Sequence, residues 1–103
     1  MGIFNLFGGG TSVASIEQYL QNGAVVIDVR TLEEFEQGHV QGSKNIPLNM
    51  IGIHVEEIKS LNKPVITCCR SGARSGSAAT ILKQHGIDAI NGGPWGSVVN
   101  CMK

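Results

Sequence analysis

Pro64-Val65-Ile66-Thr67-Cys68-Cys69-Arg70-Ser71-Gly72-Ala73-Arg74-Ser75 is the stretch around which the chain is organised. Pro64 to Cys68 is an apolar run of strand length. Ser75 to His85 is a helix-forming run with Ala78, Ala79, Ile81 and Leu82 inward and Gly86 at its end. The pattern predicts a strand, a tight loop and a helix, with Cys69 at the exit of the strand. In an open parallel α/β sheet, ligands bind beyond the carboxyl ends of the strands. The first N–H groups of the following helix lack intrahelical partners, and the helix dipole adds partial positive charge there. Gly72 lets the backbone turn so that successive amides point at one centre. Arg70 and Arg74 add full charge. A thiol in such a setting ionises readily, its pKa falling from about 8.5 to roughly 3.5–7.5. The loop therefore suits covalent sulfur chemistry or anion binding.

Outward from this stretch, strands and helices alternate. Ser15-Ile16-Glu17-Gln18 reads as a capping box, with Ile16, Tyr19 and Leu20 on one helical face and Gly23 beyond the helix. Ala24 to Val29 is an apolar run broken only by Asp28, as in a strand buried on both faces. Thr31-x-x-Glu34 is a second capping box, and Gly38 closes its short helix. Gly42 to Leu48 reads as a short strand limited by Pro47. Met50, Ile53, His54, Ile58 and Leu61 have helical period. Ile87 to Asn91 is a last strand, and Ser97 to Cys101 is left unassigned. Such alternation indicates a parallel α/β sheet with right-handed crossovers.

Three blocks carry a family resemblance. The loop Cys69-Arg70-Ser71-Gly72-x-Arg74-Ser75 follows a buried strand. Upstream stand Asp28-Val29-Arg30, Glu34-Phe35, Gly38-His39-Val40, Gly42 and Asn45-Ile46-Pro47. Downstream, Gly92-Gly93 is followed by Trp95. In this order, over roughly residues 24 to 96, they resemble the rhodanese-like sulfurtransferases. The resemblance implies a three-layer α/β fold, a parallel central sheet flanked by helices. It also implies sulfur transfer from thiosulfate or another sulfane donor through a Cys69 persulfide, to a thiol, a protein acceptor or cyanide. Arg70, Ser71, Gly72, Ala73 and Arg74 would hold the small anionic donor. Asp28, Arg30 and Ser75 would support the loop. No metal or organic cofactor is implied.

Each residue also has a plainer reading. Cys69 could be a small buried hydrophobe, but the glycine turn and two arginines favour a nucleophile. Arg74 is expected both to bind the anion and to brace the loop. Ser75 is read as a helix cap. Arg30 could simply reach Glu34 four residues on, with Asp28 bracing the active loop. His39 is read as a structural hydrogen-bonder, His54 and His85 as surface residues, and Trp95 as a core anchor bordering the pocket. Cys68 ends a strand and packs. Counted from Cys68, however, five residues precede Arg74, the tyrosine-phosphatase spacing. Counted from Cys69 there are four, the rhodanese-type spacing. The shorter loop makes a narrower cradle, no general acid is evident, and Thr67 stands where phosphatases have histidine, so Cys69 is chosen. A phosphatase or arsenate reductase, or a non-catalytic binding module, are the alternatives. Cys101 is read as a plain late residue, with a resolving thiol as its sharper role.

Composition sets the frame. The chain has 103 residues, with eight Lys and Arg balancing eight Asp and Glu. Zero net charge gives no bulk attraction to nucleic acid or an anionic membrane. Three cysteines, an odd number, argue against a disulfide framework and for a reducing, cytoplasmic setting. Their spacing forms no zinc motif. No apolar run approaches the roughly 18 residues of a membrane span. Residues 1–10, ending in Gly8-Gly9-Gly10, are expected to be a flexible segment, and residues 11–103 one domain.

Overall fold

The computed structural model describes residues 11–102. The expected flexible segment, residues 1–10, lies outside the described residues. The elements run α1 (Val13–Gln21), β1 (Val25–Asp28), α2 (Leu32–Glu36), β2 (Lys44–Asn45), α3 (Val55–Ser60), β3 (Val65–Cys69), α4 (Ala73–Gln84), β4 (Ala89–Pro94) and α5 (Trp95–Cys101). The four strands form one parallel sheet in the order β2-β1-β3-β4.

Side chains along a strand alternate between faces, and the alternation divides the core in two. Ile27, Val29, Val65 and Cys69 meet Val55 and Ile58 of α3 and Ala78, Ala79 and Leu82 of α4. Val26, Ile66 and Cys68 meet Ile16 of α1 and Val98 of α5. Helices thus cover both faces of the sheet, and the expected three-layer α/β architecture is the one observed.

Several boundaries differ from the sequence reading. The first helix starts earlier: Ser12 is its cap, its hydroxyl accepting the Ser15 amide at 3.2 Å. Ser15 is spent inside the first turn, so the Ser15–Gln18 box does not form. The Thr31–Glu34 box does form, in both directions. The second strand shrinks to Lys44–Asn45. The helix expected around Met50 to Leu61 breaks into two 3-10 turns, Leu48–Met50 and Gly52–His54, before α3. Gly52, between β-branched Ile51 and Ile53, weakens an α-helix there. The inward residues are Ile51, Val55 and Ile58, whereas Ile53 is 74% exposed. Trp95–Cys101 forms a helix starting directly after the last strand.

β3 and β4 fall out of step near the loop. Thr67 pairs with Asn91 but Cys69 pairs with Pro94, so β4 holds one extra residue. Gly92 makes this bulge sterically admissible. A Cβ there would lie 2.7 Å from Ile66 Cγ2 and 2.8 Å from the Thr67 carbonyl oxygen. Asn91, the last residue paired before the bulge, faces α4 by the ordinary alternation of the strand, and the bulge brings the Gly93 amide back onto its side chain.

Candidate active site

The strand order fixes where a site can form. From β1 the chain turns to β2 on one side, then crosses to β3 and β4 on the other. Loops leaving the carboxyl ends of β1 and β3 therefore diverge, opening a crevice at this switch point. Cys69 ends β3, and Asp28 ends β1 beside it.

Cys69 is buried at the floor of the loop. Its Sγ accepts the Gly72 amide at 3.0 Å and the Ser75 amide at 3.4 Å, and lies 3.3 Å from Ser75 Oγ. Gly72, at φ +105°, is the helix N-cap and gives the chain the left-handed turn that aims these amides inward. Burial pushes the Cys69 thiol up. Hydrogen bonds from the Ser75 hydroxyl and amide, then from the Gly72 and Ser71 amides, outweigh it and hold the thiol below its ordinary value.

The two loop arginines differ. Arg74 makes a two-pronged ion pair with Glu34, at 2.8 and 3.1 Å, tying the start of α4 to α2. The same carboxylate accepts the Thr31 amide at 3.0 Å. Arg70 is exposed and, among the described residues, makes no ion pair. It borders a cleft of about 270 Å³ with Arg30, Glu34, Gln37, Gly38 and Trp95.

Arg30 does not reach Glu34. It folds back onto the buried Asp28 carboxylate, with bonds of 2.7 to 3.0 Å, and donates to the Gly38 carbonyl at 2.7 Å. Its guanidinium lies 5.0 Å from the Trp95 ring centre, a cation–π distance. Glu34 is instead taken by Arg74 of α4. The Asp28 carboxylate likewise serves Arg30 rather than the loop after β3. Arg30, held in place by the buried Asp28, forms part of the wall of the cleft.

A model of the rhodanese-like domain matches residues 12–93. The chain belongs to the rhodanese-like domain family. A Pseudomonas aeruginosa thiosulfate sulfurtransferase is 32% identical over 75 residues, 73% of this chain and 67% of that protein. An uncharacterised Bacillus subtilis protein is 40% identical over 85 residues, 78% of this chain and 67% of that one. Among solved structures, an Escherichia coli rhodanese described with anions aligns at a TM-score of 0.65 and 34% identity. That alignment covers 72% of this chain and 89% of the other.

Within the rhodanese-like loop, Ser75 is not the cap. It is the third residue of α4, fully buried, and its hydroxyl turns to the sulfur and to Asn91. Thr67 Oγ1 donates to the Ser75 carbonyl at 2.8 Å, fixing that turn to the sheet. Asn91 is the site residue that sequence reading missed. The one visible sign of it was a polar residue closing an apolar strand before Gly92-Gly93.

The remaining cysteines and histidines sit apart. Cys68 points to the opposite face of the sheet from Cys69. Burial, and then the nearby Asp28 carboxylate, push its thiol well above the ordinary value. Cys101 is half-buried among the α1 and α5 residues of that same far face. His39 stacks on Phe35 and bonds its carbonyl at 2.8 Å. His54 pairs with Glu57, and His85 bonds the Ile81 carbonyl, so both have partners that the sequence did not disclose. Among the described residues, no cluster of three or more His, Cys, Asp or Glu could hold a metal. No helix among them is long and apolar enough to cross a membrane.

Proposed function

We propose that this chain is a sulfurtransferase that carries sulfur as a persulfide on Cys69. The observation that carries the reading is the sulfur's setting: two backbone amides and the Ser75 hydroxyl converge on Cys69 Sγ, next in sequence to the exposed Arg70. Those groups stabilise a thiolate and, in turn, an anionic persulfide.

The Cys69 thiolate attacks the outer sulfur of thiosulfate. The S–S bond of the donor breaks, and sulfite leaves with its electron pair. Cys69 now bears one extra sulfur. A nucleophilic acceptor, a thiol or a protein thiol, then attacks that outer sulfur, and the Cys69 thiolate is the leaving group. Because Cys69 itself is buried, the added sulfur is the atom offered to the acceptor. Arg70 steadies the donor's charge at the mouth, and Arg74 holds the loop's geometry through Glu34. The relatives named as thiosulfate sulfurtransferases support the same reading, and no bound metal or cofactor enters it.

Counting the loop from Cys68 would require the nucleophile to lie on the far face of the sheet, against α1 and α5. Steady-state assay of thiosulfate:cyanide sulfur transfer tests the proposal. Turnover that Cys69→Ser abolishes is expected. Aryl phosphate hydrolysis or arsenate reduction with no sulfur transfer would overturn it.

A further inference from the structure

Ser75 Oγ is placed between two atoms that both want its proton. It lies 3.3 Å from Cys69 Sγ and 2.6 Å from Asn91 Oδ1. A hydroxyl has one proton. The shorter contact joins two oxygens, and Oδ1 has no proton to give, so the hydroxyl donates to Asn91. What Ser75 then presents to Cys69 is a lone pair, which suits an S–H group and opposes a thiolate.

Asn91 cannot escape this by turning its amide over. Its Oδ1 also accepts the Gly93 amide at 2.9 Å, and its Nδ2 donates to the Gly72 carbonyl at 3.1 Å. A flipped side chain would set an NH2 against an N–H and an oxygen against a carbonyl. Both ends of the amide are therefore fixed, one by the bulge in β4 and one by the loop itself.

We infer that Asn91 is a positioning residue for the Cys69 sulfur: it holds the Ser75 hydroxyl proton while Cys69 is a thiol and yields it when Cys69 ionises. On ionisation the thiol proton leaves to solvent, and the Ser75 O–H turns from Oδ1 to the sulfur. Oδ1 keeps the Gly93 amide, so no buried acceptor is stranded. The same turn serves the persulfide, whose charge also needs a donor. The inference rests on Cys69 being the reactive thiol, and it explains why a strand that needs no polar residue has one.

The charged groups around the sulfur are Arg70 on the loop, Arg74 of α4 with Glu34 of α2, and the Asp28–Arg30 pair at the end of β1. Cys68 is the neighbouring titratable group. All of them are left intact by the variants below.

The test is the pH dependence of iodoacetamide alkylation, mapped to Cys69 by peptide mass, in the full chain. Asn91→Ala removes the competing acceptor and lowers the midpoint, on the order of half a pH unit, the size of one modest hydrogen bond. In a Ser75→Ala background the same change moves the midpoint little, because no proton is left to compete for. Asn91→Asp keeps an acceptor for the Ser75 proton but adds a charge and sets an oxygen against the Gly72 carbonyl, both of which act with or without Ser75, so the part of its rise that Ser75→Ala removes is the part that reports the shared proton. It decides the matter if the alanine variant does not fold. A midpoint indifferent to Asn91, or shifted equally with and without Ser75, overturns the inference while leaving the function proposed above standing. A wild-type midpoint near the ordinary 8.5 overturns both.

Discussion

Cys68 and Cys69 are neighbours in the chain and face opposite sides of the sheet. Cys69 looks toward α4 and accepts the Gly72 and Ser75 amides at its start, whereas Cys68 is sealed against α1 and α5. Strand geometry alone produces this split. It leaves one cysteine with donors around it and the other with only apolar packing and a nearby carboxylate.

The first prediction concerns selectivity between these two thiols. Brief iodoacetamide treatment at pH 6.5–7 should label Cys69 and spare Cys68, because hydrogen bonds hold one thiol down and burial pushes the other up. Peptide mapping of the native and the unfolded protein checks this. Cys68 should react only after unfolding, and prior labelling of Cys68 in the native state would contradict the assignment.

The second concerns acid stability. The Arg74 guanidinium, helped by the Thr31 amide, holds the Glu34 carboxyl down at about 2. Its unfolded value is about 4.3. A carboxyl depressed on folding favours the folded state above the unfolded value, and that contribution is lost as pH falls from about 4 through about 2. The Tm of the wild type should therefore drop more steeply over this window than that of Glu34→Gln. Parallel curves would show that the pair adds nothing.

The third separates the two loop arginines. Arg70→Ala should raise the apparent KM for thiosulfate about 10-fold, on the scale of about 1.5–3 kcal/mol for a hydrogen bond to a charged group, with Tm unchanged. Arg74→Ala should lower Tm as well, since it releases Glu34 and the start of α4. Equal Tm for the two variants would remove the distinction.

The fourth concerns the bulge. Gly92→Ala drives a methyl against the Thr67 carbonyl and the side chains of Ile66 and Val98, all within 2.7–2.9 Å. Overpacking of this kind costs about 1–3 kcal/mol, read from urea unfolding. Gly96→Ala, in α5, has nothing within 4 Å of the new carbon and should be neutral or stabilising by about 0.5–1 kcal/mol.

Much of this architecture was legible in the residues. The buried strand and glycine loop ahead of α4, and the Thr31–Glu34 box, are local patterns, and local hydrogen bonds realise them. What escaped was decided at a distance. Arg30 pairs with Asp28 rather than Glu34, and the Glu34 carboxylate binds Arg74, 40 residues further along the chain. Ser12 displaced Ser15 because either could cap and only packing selects the start. The helix expected over Met50 to Leu61 failed at Gly52, where buried Ile51 set the register instead. Asn91 could not be found by period or motif, since its role arises where a bulge in β4 meets a loop 19 residues earlier.

The most direct measurement is the intact mass of the protein after incubation with thiosulfate, before and after cyanide. The account predicts a gain of one sulfur, about 32 Da, mapped to Cys69 and removed by cyanide, as two-step covalent catalysis requires. Cys68→Ser should keep the adduct and Cys69→Ser should lose it. A wild-type protein that gains no mass, or gains it at Cys68, would contradict the persulfide assignment.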